Sequence, residues 1–581
     1  MADEFRFPTR PNRASEIAWR AWSGEAFADA QSNDRPILLV ITTVWSTDCA
    51  RLDEVTFSDA RVISLIERDF VPIRVDADRY PHVQDRYVTA GWPTLAFLTP
   101  TGEVLWADTF VEPARLCAVA DGVRAAWRDR REEFRDEVAR RRRALESSRR
   151  RHGTSGLVRR EAADDVATAA REAFDARNGG FGGAPKFPVP AAVELLYRLA
   201  DTGEADYAAM ADRTLDGMLA GELFDGRDGG FYRYALAEDW TAPRFEKLLD
   251  VNAAMLRAYA LGAHVRGRED WLNAAERTIE WVESELRRPD GLWGGSLYAD
   301  HGHDRDGAHS AAAARADLTA YTNWNAQWIA ALADAGARLR RDDWVRRAAD
   351  ALDTLLETMA TPGGLLYHYA EVGAEPRIDF LVTDPLEAAV ACLAVAQAAA
   401  RPALITRAVE LSHAMEGAFW ADDGGFYDRA PSDHDLGALR LRDRPFEANS
   451  AAARLLVDLA LLTGNRKHRA MAETVLASLS PRAGRYGVDA AVFAIAVEEF
   501  FQAPALVVVV GDADAAGPLR TAALSARVTS RRVIGAVNGA TIGTLRFAAE
   551  PLPAAFVMGR RGRAGPVHDA DALDRELRAI G

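Results

Sequence analysis

Six short glycine-aromatic turns divide the middle of this chain into blocks of similar length, and no other feature restricts its fold as much. They are Gly179-Gly180-Phe181-Gly182-Gly183, Gly229-Gly230-Phe231-Tyr232, Gly294-Gly295-Ser296-Leu297-Tyr298, Gly363-Gly364-Leu365-Leu366-Tyr367, Gly424-Gly425-Phe426-Tyr427 and Gly484-Arg485-Tyr486-Gly487. Successive turns lie about 50 to 69 residues apart, and the segments between them are rich in Ala and Leu at helical spacing, with room for two helices each. A helical hairpin buries its apolar face only against its neighbours, so such units stack, and six of them can close into a ring. Open solenoids use shorter repeats, about 34 to 47 residues. Residues 160–502 are therefore expected to form an (α/α)6 toroid whose inner helices line a funnel and whose turns gather at one mouth.

At 581 residues the chain exceeds one core, and its flanks read differently from the helical body. Residues 1–130 alternate buried strands (Pro36–Thr42, Phe70–Asp76, Thr94–Leu98, Val104–Trp106) with amphipathic segments, one of them a helix expected over 53–70, and predict a small α/β domain. Residues 131–159 carry runs such as Arg140-Arg141-Arg142-Arg143 among acidic residues and read as a solvated helical connector. Residues 503–581 contain further buried strands around 505–512, 532–537 and 554–558, a small C-terminal α/β unit. The net charge of −15 disfavours nucleic acid as a partner, and the absence of a long apolar run disfavours a membrane. Three dispersed cysteines and an N-terminus with neither a basic nor an apolar leader region point to the cytoplasm.

Trp45-Ser46-Thr47-Asp48-Cys49 follows a buried strand and precedes a helix, the place where a thioredoxin fold carries W-C-x-x-C. Gly91-Trp92-Pro93-Thr94 resembles the thioredoxin cis-proline loop. Ser46 stands where the nucleophilic cysteine would be, and a hydroxyl has no thiolate form near neutral pH, so dithiol exchange is not expected. Cys49, in the resolving position, reads as a buried thiol. The degenerate redox turn thus comprises Trp45, Ser46, Cys49 and Pro93.

Nearly the whole chain resembles the spermatogenesis-associated, thioredoxin-domain-containing family with a six-hairpin glycosidase-like body. The resemblance rests on Trp22-Ser23-Gly24-Glu25-Ala26-Phe27, Gly91-Trp92-Pro93-Thr94, Ala184-Pro185-Lys186-Phe187-Pro188, Pro243-Arg244-Phe245-Glu246-Lys247-Leu248, Trp324-Asn325 and Asn449-Ser450. It implies a thioredoxin-like domain fused to a toroid whose structural analogues are sugar isomerases and glycosidases. The chain departs from the family at Ser46, at Arg244 in place of a histidine, and near Val557-Met558-Gly559, where a cysteine pair is absent.

Of the 71 basic residues only Lys186, Lys247 and Lys467 are lysines, and two of these lie in loop-to-helix segments expected at the funnel mouth. A compact ammonium suits a tight pocket where a guanidinium fork does not fit. Glu246 and Asp250 are one helical turn apart on one wall, so a carboxylate on another hairpin, Asp379, Asp384 or Glu447, is the better partner for acid/base work. The expected catalytic pair is Glu246 with Asp379, with Lys186, Arg233, Lys247, Asp250, Trp324, Asn325, Glu447 and Asn449 around the ligand. Trp240, Trp293 and Trp328 could stack on a sugar or pack as core. The histidine-dense run 300–309 reads as a polar loop rather than a metal site, and no cofactor is expected. The favoured partner is a small polar, carbohydrate-like molecule for isomerisation, epimerisation or hydrolysis. The alternative is a non-catalytic adaptor holding a peptide in the groove around Ser46 and Pro93.

Overall fold

Six consecutive buried residues make Ile37–Thr42 (β1) a central strand. It pairs in parallel with Val71–Asp76 (β2) and antiparallel with Thr94–Leu98 (β3), which carries Val104–Asp108 (β4) on its outer side, in the order β2-β1-β3-β4. One face packs on Trp22, Phe27 and Tyr87 and the other on Phe57, Ile66 and Leu116. The helix expected over 53–70 is interrupted: it begins at Ala60, where Asp59 accepts from the Arg61 and Val62 amides and caps it. The computed structural model describes residues 5–88, 90–129, 140, 157–201, 203–298 and 315–580. The connector 131–159 and the run 300–309 lie outside these residues almost entirely.

The chain forms two compact units, 1–153 with 297–317 and 428–443, and 154–296 with 318–427 and 444–581. The boundaries expected from sequence treated 160–502 as uninterrupted; two of its loops group instead with the N-terminal domain. The small C-terminal part belongs to the same unit as the helices.

In the second unit the described residues include twelve helices in alternating outer and inner positions. The outer ones are Glu161–Ala173 (α1), Ala205–Ala220 (α3), Glu269–Glu285 (α5), Asp342–Thr358 (α7), Ala403–Phe419 (α9) and Arg466–Leu479 (α11). The inner ones are Pro190–Ala200 (α2), Leu249–Arg266 (α4), Thr322–Leu339 (α6), Thr383–Ala398 (α8), Phe446–Thr463 (α10) and Ala491–Phe501 (α12). Each inner helix touches the next, and α12 returns to α2, so the ring is closed. The sixth hairpin pairs the first helix with the last, α1 with α12. Inner helices bury residues on most of their circumference, as α4 and α8 show, because they are packed on the outer ring and on both neighbours.

The glycine-aromatic turns connect outer to inner helices and so sit at one end of the ring. Five form the same small antiparallel bridge: Phe174 with Phe181, Phe224 with Phe231, Arg287 with Trp293, Ala360 with Leu366, and Trp420 with Phe426. Gly229 and Gly230 have φ of 84° and 76°, and a Cβ on Gly230 would come within 2.8 Å of the Trp281 ring, so glycine is required twice over. Three turns are held by an asparagine at the fourth position of the following helix. The Asn252 side chain accepts from the Phe231 amide (2.7 Å) and donates to the Phe231 carbonyl (3.0 Å). Asn325 does the same for Trp293 and Asn449 for Phe426. The sixth turn has no glycine pair; it forms two short 3-10 turns, with Tyr486 stacked on Phe446 at 4.0 Å.

The C-terminal segment repeats the topology of the first domain. Ala505–Val510 (β5) pairs in parallel with Arg531–Ala536 (β6) and antiparallel with Ala554–Gly559 (β7), which carries Gly562–Val567 (β8), in the order β6-β5-β7-β8. Ala513–Leu524 follows β5 as a helix capped by Asp512, as Ser46 caps the helix after β1. A cis Leu552–Pro553 bond precedes β7 as cis Trp92–Pro93 precedes β3, and Pro553 lies against Gly511 at the turn after β5. What the sequence showed only as a small α/β unit is a second thioredoxin-like sheet.

Replacing Asn252 or Asn449 with Ala leaves a buried amide and carbonyl unpaired, a loss of roughly 2–4 kcal/mol at one or two kcal/mol for each orphaned group. Thermal melts of the full chain should show a clear fall in Tm for each variant.

Candidate functional site

Among the described residues, the inner helices enclose a cavity of about 370 Å³ along the ring axis. Its lining repeats a helical stripe: Gln327, Ala330, Asp334 and Ala337 on α6, and Glu387, Val390, Ala394 and Gln397 on α8. Small residues on these stripes leave the space and isolated charged ones occupy it. Asp250 and Arg257 enter from α4, Glu194 from α2, and Arg454 and Asp458 from α10. The far end is covered by Leu524 and Thr529–Val533 of the C-terminal segment, where the Val533 amide donates to Gln397 (3.0 Å) and Arg532 binds both oxygens of Asp458 (2.7 and 2.8 Å). The bore is thus a blind pocket at that end.

Burial shifts three of the bore's carboxyls toward their protonated forms: Asp250, Glu387 and Asp458, the last against its ion pair with Arg532. Burial pushes Asp250 up to about 6, against the amide of Val251, which donates to it at 2.8 Å. Burial also raises Glu387, opposed by the Gln327 side chain and Arg257. Glu194 goes the other way: against the effect of burial, Arg454 holds it ionised through a very short ion pair. Arg454 and Arg198 also bind the fully buried Glu499, at 3.0 and 2.9 Å.

Of the expected ligand residues, Asp250 lines this bore. Glu246 is buried beside it in sequence but absent from the lining, and Asp379 is exposed in the loop before α8, so the expected pair is not brought together there. Lys186 and Lys247 lock turns. The Lys186 ammonium, completely buried over the Trp240 ring, donates to Asp175 (2.6 Å) and the Glu238 carbonyl (2.9 Å). Lys247 donates to Asp225 (2.7 Å) and the Gly229 carbonyl (2.7 Å) between the Tyr232 and Trp281 rings. Against the effect of burial it holds the Asp225 carboxyl down at about 2. In the fifth turn Arg444, whose side chain is 19% exposed, performs the same task on Asp423 and the Gly424 carbonyl. Two of the three lysines are thus sealed against aromatic rings at turns, where arginine serves in the more open fifth turn; the third, Lys467, pairs with Glu416 on the surface.

Asn325 and Asn449 clamp turns as described, Trp324 packs over Gly295, and Arg233 lies over the Tyr234 ring at 4.9 Å. Glu447 is exposed at the start of α10. Trp240, Trp293 and Trp328 are core residues, each at most 1% exposed. Asp384 is buried and accepts from His368 Nδ1 at 3.0 Å, a contact that nothing in the sequence indicated. Glu194, Asp334 and Glu387 were also missed, and Arg257 was visible only as sharing a stripe with Glu246 and Asp250; the available signal was an isolated charge within a helix rich in Ala and Leu.

In the first unit Ser46 caps its helix, accepting from the Cys49 amide at 3.3 Å, and both residues are buried. Burial pushes the Cys49 thiol up to about 12. Trp45 donates to Asp78 (2.9 Å) and meets Trp92, next to Pro93, edge-on at 5.3 Å. A cavity of about 280 Å³ beside this turn is walled in part by Arg6–Thr9 of the same unit. There the buried Arg74 guanidinium binds Asp53 with two hydrogen bonds (2.8 and 2.7 Å) beneath the Phe7 ring.

These features define a degenerate thioredoxin-like domain joined to an (α/α)6 toroid. Residues 9–146 match a family model described as a protein of unknown function, DUF255. The chain is similar to spermatogenesis-associated protein 20 of Homo sapiens, 28% identical over 47% of this chain and 38% of that protein, and to its Mus musculus counterpart, 27% identical over the same shares. The matched stretch thus spans well under half of those relatives. The resemblance read from the motifs is the one these matches return. Solved structures with a similar fold include cellobiose 2-epimerase from Bacillus thermoamylovorans (14% identity, TM-score 0.45, covering 54% of this chain and 85% of that one) and a D-mannose isomerase (12%, 0.47, 58% and 96%).

Two outcomes follow from these contacts. Lys247→Arg should destabilise the fold by about 1–3 kcal/mol through overpacking against Trp281 and Tyr232, seen as a lower Tm. Cys49 should resist alkylation at pH 8 in the native protein and react once denaturant is added, read by mass spectrometry of the labelled peptide.

Proposed function

We propose that the toroid binds and transforms a small polyhydroxylated, carbohydrate-like molecule in its bore, with Asp250 and Glu387 as the acid and base. The observation that carries this reading is that two carboxyls, both shifted by burial toward their protonated forms and neither in an ion pair among the described residues, enter one cavity of about 370 Å³ from separate walls, α4 and α8. They supply what Glu246 and Asp379 were expected to supply. Isomerisation or epimerisation needs one group to remove a proton beside a carbonyl and another to return one; hydrolysis would need a seat for water besides. Gln327 on α6 and the ionised Glu194 on α2 offer hydrogen bonds to hydroxyl groups from the neighbouring walls.

The adaptor reading is the weaker one, because part of the wall beside the Ser46 turn is made by residues 6–9 of the same unit. Among the described residues no helix is long and apolar enough to cross a membrane. We place the activity in the cytoplasm on the strength of three dispersed, reduced cysteines.

The test is incubation with a panel of aldoses and ketoses in D2O, where proton transfer through an enediol leaves deuterium on the carbon beside the carbonyl. Asp250→Asn and Glu387→Gln should each lower the exchange rate about 10²–10⁴-fold; unchanged rates in both would remove the assignment. The pH dependence has a defined sign. A carboxyl raised to about 6 in the fold disfavours the native state as pH climbs from about 4 through 6, because the unfolded chain ionises more easily. Relative to wild type, Asp250→Asn should therefore gain stability between pH 4 and pH 8, measured by denaturant melts at both values.

A further inference from the structure

We infer that the bore is built for an anionic ligand: Arg257 and Arg531 are placed to hold the carboxylate or phosphate of a small polyhydroxylated molecule. This rests on the bore being the ligand site and adds the charge class of the ligand.

Five arginines line the cavity. Three are committed to carboxylates of the protein: Arg338 to Asp334 (2.7 Å), Arg454 to Glu194 and Glu499, and Arg532 to Asp458 and, at 3.4 Å, Glu499. Arg257 and Arg531 form none of the ion pairs found among the described residues. Arg531, at the head of β6, is only 7% exposed; its Nη1 donates to the Val528 carbonyl at 3.2 Å, and its Nε is buried without a partner. Burial, with Arg338 close by, works against its charge.

A guanidinium removed from water without a counter-charge is costly, and an anion in the adjoining space offsets that cost. Arg531 has little of the protein's own negative charge to face: the one carboxylate acting on it is Asp334, which also binds Arg338 and faces Arg257. Arg257 lies in the field of Glu194, Asp334 and Glu387 but forms an ion pair with none of them. The planar fork of arginine presents paired donors that fit two oxygens of a carboxylate or phosphate. Arg257 follows Asp250 by seven residues on one helix, about 10 Å along the axis, so the arginines lie further along the bore than Asp250, toward the end that the C-terminal segment covers.

Isothermal titration of the full chain at constant ionic strength with inorganic phosphate, glucuronate, glucose 6-phosphate and glucose tests this. Glucuronate or glucose 6-phosphate should bind at least tenfold more tightly than glucose, and the two arms tell a carboxylate from a phosphate. Arg531→Met should abolish that preference while leaving Tm unchanged or higher, because it removes an uncompensated buried cation; Arg257→Met should weaken the same anions at least tenfold. Equal affinity for glucose and its acidic counterparts, no saturable binding of any of the three anions, or a preference that survives both substitutions would overturn the inference, as would a lowered Tm for Arg531→Met with anion binding intact. The two ideas fail separately: anion selectivity alongside undiminished exchange in Asp250→Asn and Glu387→Gln would uphold this site and remove only the acid/base assignment.

Discussion

The closure of α1 onto α12 is the constraint on which the second unit depends. A hairpin array left open exposes an apolar face at each end, whereas here the first helix of the region supplies the outer partner of the last. Because that pairing spans more than three hundred residues of chain, the ring is a single cooperative object, and its axis is a space that no hairpin could define alone. Every charge in the bore owes its burial to this closure, and so does every raised carboxyl.

The turns that hold outer to inner helices show how a repeated local problem is solved by different residues. Each needs a cation or amide to satisfy backbone groups that the turn removes from water. Asparagine does this at Phe231, Trp293 and Phe426, Lys247 at the second turn and Arg444 at the fifth, while Lys186 binds the Asp175 carboxylate beside the first. The residues that looked most like ligand contacts, Lys186, Lys247, Asn325 and Asn449, are conspicuous because burial in a tight turn admits few alternatives. Scarcity of a residue type marks constraint, and constraint can be structural as readily as functional.

The C-terminal sheet extends the same lesson. It shares strand order, strand polarity and the position of a proline with the first domain, yet Asp512 stands where Ser46 caps the corresponding helix, and neither turn has a cysteine in the capping position. The element that leads into β6 closes one end of the bore and brings Arg531 and Arg532 to it. A fold that elsewhere presents a redox turn here supplies a floor.

The sequence determined the twelve-helix ring, because glycine pairs at steps of about 50 to 69 residues admit few other foldings, and it determined that Ser46 ends dithiol chemistry, because that follows from the atom present. It determined the first sheet through the continuous apolar strands at 37–42 and 94–98. It left the bore unread: Asp250 was visible as a charge near a helix start, but Glu194, Arg257, Asp334, Glu387 and Arg531 lie on five separate elements and acquire a common role only once the ring has closed and been capped. Local pattern records which face of a helix is apolar; which charges then share a cavity is decided by packing between segments far apart in the chain.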